Sequence, residues 1–214
     1  MKYELLLRSR ALREESIPAK HERFLAGMRQ IAPPWGLGDT AGPPAPDPGS
    51  ELIAQVRLTP FLGKGIRGEV AYQFRRDFRD EGSADDFLSL TFNPEKVDYV
   101  SFVDGAFPKY LSAFDAYRGE LGDAEFTHLD FDAARKVDFR RGVFRIYPVS
   151  YYDKQLCLRA FQLEPDEIVA RLVDRCQRVT RHGDGVLVVV STKLLSLADA
   201  DQETRAIRQL LRPV

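Results

Sequence analysis

Residues Arg145–Phe161 read RIYPVSYYDKQLCLRAF. Hydrophobic residues around Ile146, after Gly142, predict a strand, and Pro148 places it at a sheet edge or close to its end. Asp153 stands where a side-chain oxygen caps the turn that follows. Leu156, Cys157, Ala160 and Phe161 recur at helical spacing and form the buried face of that turn, leaving Lys154 and Arg159 for solvent. The stretch therefore predicts a strand-to-helix corner. It also gathers Tyr152, Asp153, Lys154 and Cys157, residue types that an enzyme centre uses, so an enzyme of unknown class with a site here is the alternative. The corner is the better reading, because a free cysteine on an apolar helical face ordinarily behaves as a small hydrophobe.

Downstream, LEPDEIVARLVDRCQRVT predicts a helix with Pro165 in its first turn. Asp166 and Glu167 suit the positive end of the helix dipole, and Ile168, Leu172, Cys176 and Val179 make the buried stripe. RHGDG ends that helix, VLVVVST predicts a central strand, and a final helix carries Ile207, Leu210 and Leu211. Upstream, FPKYLSAFDAYRGEL puts Phe107, Tyr110, Leu111, Phe114 and Tyr117 on one helical stripe. The acidic run after it, GDAEFTHLDFDAARKVDF, has no clear period.

The first half begins with a short strand, Tyr3 to Arg8. A helix follows from Lys20, with Phe24, Met28 and Ile31 on its stripe, and is closed by Pro33 and Pro34. Residues 33–50 hold six of the thirteen prolines and predict an irregular loop. The single tryptophan, Trp35, is expected to pin that loop to the body. Three alternating segments follow, with Leu52, Ala54, Val56 and Leu58, then Val70, Tyr72 and Phe74, then Leu88, Leu90 and Phe92 along single faces. The connectors FLGKGIRG and RDEGSAD predict hairpin loops and an antiparallel meander. The fold class is thus α+β, an antiparallel sheet-rich N-terminal half (1–98) with a strand–helix C-terminal half (99–214).

The net charge of −1 hides a strong segregation. Residues 1–76 carry 12 Lys/Arg against 8 Asp/Glu, residues 77–138 carry 6 against 15, and residues 139–214 carry 13 against 9. A nucleic-acid binder concentrates positive charge, whereas the densest charge here is negative and central, which points to a basic partner or a solvated acidic face. No apolar run is long enough to span a bilayer and no secretory leader is evident. Cys157 and Cys176 are expected to be reduced thiols, and the chain is expected in the cytoplasm.

Catalytic motifs are missing. There is no C-x-x-C, HERFL lacks the second histidine of H-E-x-x-H, and no G-x-S-x-G offers a serine nucleophile. FLGKGIRG has neither the spacing nor the context of a phosphate-binding loop. PDEIV begins like the acid motif of restriction-type nucleases, but no lysine has an acid two residues before it. Neither a metal nor a cofactor is expected.

The Phe107–Tyr117 stripe, RIYPVSYYDKQLCLRAF, the LEPDEIVARL helix, GDGVLVVVST and the terminal helix together resemble the C-terminal pattern of bacterial immunity proteins. These are encoded beside polymorphic toxins, including restriction-endonuclease-fold nucleases delivered by type VI secretion. The resemblance spans roughly residues 99–214, with the N-terminal strand and helix. It implies an α+β protein, not an enzyme, that binds and occludes a toxin presenting a basic nucleic-acid-binding cleft, with no direct contact to nucleic acid or membrane. The acids Asp77, Asp80, Glu81, Asp85, Asp86, Asp98, Asp104, Asp115, Glu120, Asp123 and Glu125 are the candidate interface, with Trp35 as an apolar contact. A regulator or scaffold unconnected to any toxin is a further alternative.

Overall fold

The fold comes from a computed structural model that describes residues 1–46, 53–73, 75, 85–134 and 136–212. The chain forms two compact units, one of Leu5–Ala116 and one of Met1–Glu4 with Tyr117–Val214. From sequence the cut falls between residues 98 and 99; the compact units part between Ala116 and Tyr117.

The first unit contains strands β1 (Tyr3–Arg10, its residues from Leu5 onward), β2 (Ile53–Arg57), β3 (Arg67–Gln73) and β4 (Asp85–Phe92), in the order β2-β3-β4-β1. β2 and β3 pair antiparallel, as do β3 and β4. A pleated strand points alternate side chains to opposite faces. Here the buried set is Leu5 and Leu7, Ala54 and Val56, Val70 and Tyr72, and Leu88, Leu90 and Phe92, in agreement with the alternation in the sequence. Leu52, Phe74 and most of the RDEGSAD connector lie outside the described residues.

Helix α1 (Ile17–Arg29) starts three residues earlier than the sequence predicts, because Ser16 caps it by accepting the Ala19 N–H at 3.2 Å. Pro18 sits harmlessly in its first turn, where no intrahelical donor is needed. Phe24 and Met28 are buried, and Ile31 is buried just beyond the helix end. The stripe from Phe107 belongs to a composite helix of α2 (Tyr99–Ser101), a π-helical turn (Phe102–Ala106) and α3 (Phe107–Ala113). Gly27 is required where α1 meets α3, since a Cβ there would stand 2.4 Å from the Ala113 Cβ.

The second unit contains β5 (Arg118–Asp123), short helices α4 (Glu125–Leu129) and α5 (Phe131–Ala134), β6 (Val149–Tyr152), α6 (Lys154–Phe161), α7 (Pro165–Leu172), β7 (Arg178–His182), β8 (Gly185–Val189) and α8 (Leu197–Leu210). Its strands run β5-β6-β8-β7, each pair antiparallel. β8 is central within this group and buried along its whole length, as its apolar run predicts. α6, α7 and α8 bury Leu156, Cys157, Phe161, Ile168, Leu172 and Ile207 against Tyr152, Val186 and Val188.

Four local expectations are corrected. The strand in the opening stretch begins after Pro148, so residues 142–148 lie outside β6. The predicted helix through Thr180 ends at Leu172, and RVTRH is strand β7, joined to β8 by a tight turn in which Gly183 adopts φ +56. That turn needs a left-handed residue, which glycine supplies without strain. RGEL, at the end of the segment whose spacing predicts a helix, forms strand β5 together with the GD that follows it. In α8 the buried stripe is Ala200, Thr204, Ile207 and Leu211, with Leu210 exposed. The protein is α+β, with strands and helices in both units.

Candidate interaction surface

The structure sorts the candidate acids into three groups. Asp77, Asp80 and Glu81 lie outside the described residues. Asp85, Asp86 and Glu120 are buried, so their place in the expected interface is corrected: their charge is spent on internal cations. Asp98, Asp104, Asp115 and Glu125 are exposed and Asp123 is half-buried.

Asp86 is the centre of a buried network in the first unit. Its carboxylate accepts both Nη groups of Arg75 at 2.8 Å, the Gln73 N–H at 2.9 Å and the Lys20 ammonium at 2.7 Å. Lys20 also donates to the Ser9 Oγ at 2.8 Å. Arg75 Nε donates to the Glu15 carbonyl at 3.1 Å. A carboxylate bonded by so many donors leaves little field at the surface. Nearby, His21 is held between the Pro43 carbonyl, 3.1 Å from Nε2, and the Tyr72 hydroxyl, 3.0 Å from Nδ1. A carbonyl only accepts, so Nε2 carries the proton and Nδ1 accepts from Tyr72. Burial lowers the His21 pKa, which keeps the ring neutral.

Glu120 plays the same part in the second unit. It accepts from Arg118, whose Nε lies 2.8 Å away and whose Nη1 donates to the Gly142 carbonyl at 2.8 Å. The Phe139 ring lies 4.9 Å from the guanidinium. This pairing lets a strand containing arginine and glutamate run through the interior, because each charge finds its partner two residues away.

Trp35 is buried, with its ring centroid 4.2 Å from Phe102 and 4.9 Å from Phe92, and its carbonyl accepts the Tyr110 hydroxyl. It pins the proline-rich loop, as expected, and is covered by its own protein instead of offering an apolar contact to another.

The opening stretch resolves as a corner. Asp153 caps α6 by accepting the Leu156 N–H at 2.7 Å. Cys157 is fully buried, and its thiol points at the Tyr152 carbonyl, 3.6 Å away. Burial pushes its pKa up to about 12 and that of Cys176 up to about 11, so both are neutral thiols at pH 7 and poor nucleophiles. Lys154 is exposed and pairs with Glu164 at 3.2 Å. Among the described residues, no group of three or more His, Cys, Asp or Glu is placed to hold a metal ion. Likewise, no helix among them is long and apolar enough to cross a membrane.

Asp98 and Asp104 are exposed within one short segment of the composite helix, a ridge that runs from residue 98 to residue 104. Asp98 caps α2 by accepting the Ser101 N–H at 2.9 Å, a bond that holds its pKa below the usual carboxylate range. Val100 follows it, 49% exposed, and Asp104 is four residues further on within the π turn. Tyr99, Phe102, Val103 and Phe107 are buried beneath, so the ridge is an acid–apolar–acid strip on a firm aromatic base. Asp115 is exposed just past α3, in a left-handed conformation at φ 51. Val100 is not among the candidate residues of the sequence. Its signal was its place off the buried Phe102–Phe107 face.

No protein-family model matches the chain, and no curated protein does. A solved structure does match: that of the Pseudomonas aeruginosa type VI secretion system (T6SS) protein PA0821, with a TM-score of 0.58. The correspondence covers 98% of this chain and 72% of that one at 12% sequence identity. It is a likeness of fold.

Proposed function

We propose that this chain is a non-enzymatic immunity protein of a type VI secretion system, neutralising a cognate toxin in the cytoplasm by covering its active site. The observation that carries the reading is the fold shared with a T6SS protein along nearly the whole chain. The chemistry of the interior supports it. The cysteines are neutral and buried, Asp86 is held by Lys20 and Arg75, and Glu120 is held by Arg118, each in place of a substrate. The ridge of Asp98, Val100 and Asp104 suits a basic cleft such as that of a nuclease, because opposite potentials speed encounter and an exposed apolar residue among charges anchors the contact.

The test reverses charge on the exposed acids. A variant carrying Asp98→Lys, Asp104→Lys and Asp115→Lys is expected to fold normally. It should associate with the toxin encoded beside it at least about tenfold more slowly at low salt, and the difference should shrink as salt rises. Stopped-flow association and survival of toxin-expressing cells read this out. Unchanged rates and full protection would remove the ridge from the interface.

A further inference from the structure

We infer that β2 is a self-pairing edge, through which two copies of this chain join their sheets antiparallel about a two-fold axis at Gln55. The backbone polarity of β2 follows from one hydrogen bond. Leu58 N–H donates to the Gly68 carbonyl at 2.8 Å, and the register continues Arg57 opposite Glu69, Val56 opposite Val70 and Ala54 opposite Tyr72. Antiparallel ladders alternate bonded and non-bonded pairs. Positions 58, 56 and 54 therefore face β3, and the N–H and C=O groups of Ile53, Gln55 and Arg57 point away from it.

β2 is the last strand in its order, so among the described residues no strand receives those groups. Residues 53–57 contain no proline, the register runs without a bulge, and the one charge on the edge, Arg57, stands at its end. Ile53 is 37% exposed. Its inward neighbours Ala54 and Val56 keep 9% and 7% exposure, whereas Val70 and Leu88 on the inner strands keep none. The other terminal strand, β7, is guarded. Arg181 spans to Asp166 at 2.9 Å and to the Asp184 carbonyl at 2.8 Å, and Tyr151 packs edge-on against His182.

A second β2 fits this edge by parity and by chemistry. About a two-fold at Gln55, residue 55 meets residue 55, and 53 meets 57 in both directions, so every outward group meets an outward group and each pair exchanges both N–H···O bonds. The two Gln55 amides lie opposite one another as donor and acceptor. Each Arg57 stem covers the second copy's Ile53, and the two Arg57 charges stand at opposite ends of the paired strands. On the inward face Ala54 meets Val56, which closes the incomplete cover over those two side chains. The inference is independent of the toxin reading.

The test is the solution mass of the full chain, whose monomer is 24.3 kDa. Light scattering with sedimentation is expected to give twice that mass at about 100 μM, within the range of ordinary protein association constants. Gln55→Pro removes an outward N–H and no ladder bond, so it should weaken dimerisation at least about tenfold while leaving unchanged the melting midpoint measured at a dilution where the wild type is monomeric. Gln55→Lys, which sets like charges opposite at the axis, should do the same and serves if the proline variant fails to fold. Amide exchange at positions 53, 55 and 57 should slow as concentration rises. A wild-type monomer at 100 μM would overturn the inference. So would Gln55→Lys at full dimer mass, or a monomer whose β2 amides become protected only when a different protein is added.

Discussion

Asp86→Ala is expected to destabilise the protein by about 3–5 kcal/mol, the usual cost of leaving a buried charge without its partner. The carboxylate satisfies two cations at once, Lys20 at 2.7 Å and Arg75 at 2.8 Å, and the side chains of those cations are 3% and 9% exposed. Removing it leaves both cations buried, with Lys20 keeping the Ser9 hydroxyl at 2.8 Å and the Glu15 carboxylate at 4.0 Å. Asp86→Asn keeps the shape and one acceptor oxygen and should cost less. Asp166→Ala is the contrasting case. It removes an ion pair whose acid is 81% exposed, and the unfolding midpoint should not move. Urea unfolding followed by circular dichroism distinguishes these outcomes. An Asp86→Ala protein as stable as the parent would mean that the network is solvated.

Trp35→Ala is expected to cost a further large amount, about 3–5 kcal/mol, as for other buried aromatic truncations. The indole fills the space between Phe92 and Phe102, and the Trp35 backbone ties the loop to Tyr110 and to Ala32. The loop over residues 33–46 should become a site of rapid proteolysis, whereas toxin binding per folded molecule should be unchanged. The reverse pattern, full stability with lost binding, would make Trp35 a contact residue after all.

The strands β2 to β4 were legible because polar and apolar residues alternate cleanly and one face is buried. β5 was not, because RGELGD has the composition of a surface turn, and only the Arg118–Glu120 pairing makes its burial affordable. β7 was hidden for another reason. Ile168, Leu172, Cys176 and Val179 keep a helical period across a real break, since residues leaving a helix and entering a strand can both point into one core. The corner at Asp153 was readable from local chemistry alone, because capping is decided within three residues. The proposed interface was the least legible feature. Summed charge over 77–138 does not say which acids are internal, and the pairing of Asp85, Asp86 and Glu120 draws on cations from distant parts of the chain or from two residues away on the same strand face.

The central claim, that the chain acts by binding and not by turnover, is tested most directly by titrating it against the purified toxin and measuring residual toxin activity. Neutralisation is predicted to reach its end point at one chain per toxin and to reverse when the complex is dissociated and separated. Loss of toxin activity at well below one chain per toxin, persisting after the chain is removed, would contradict the account.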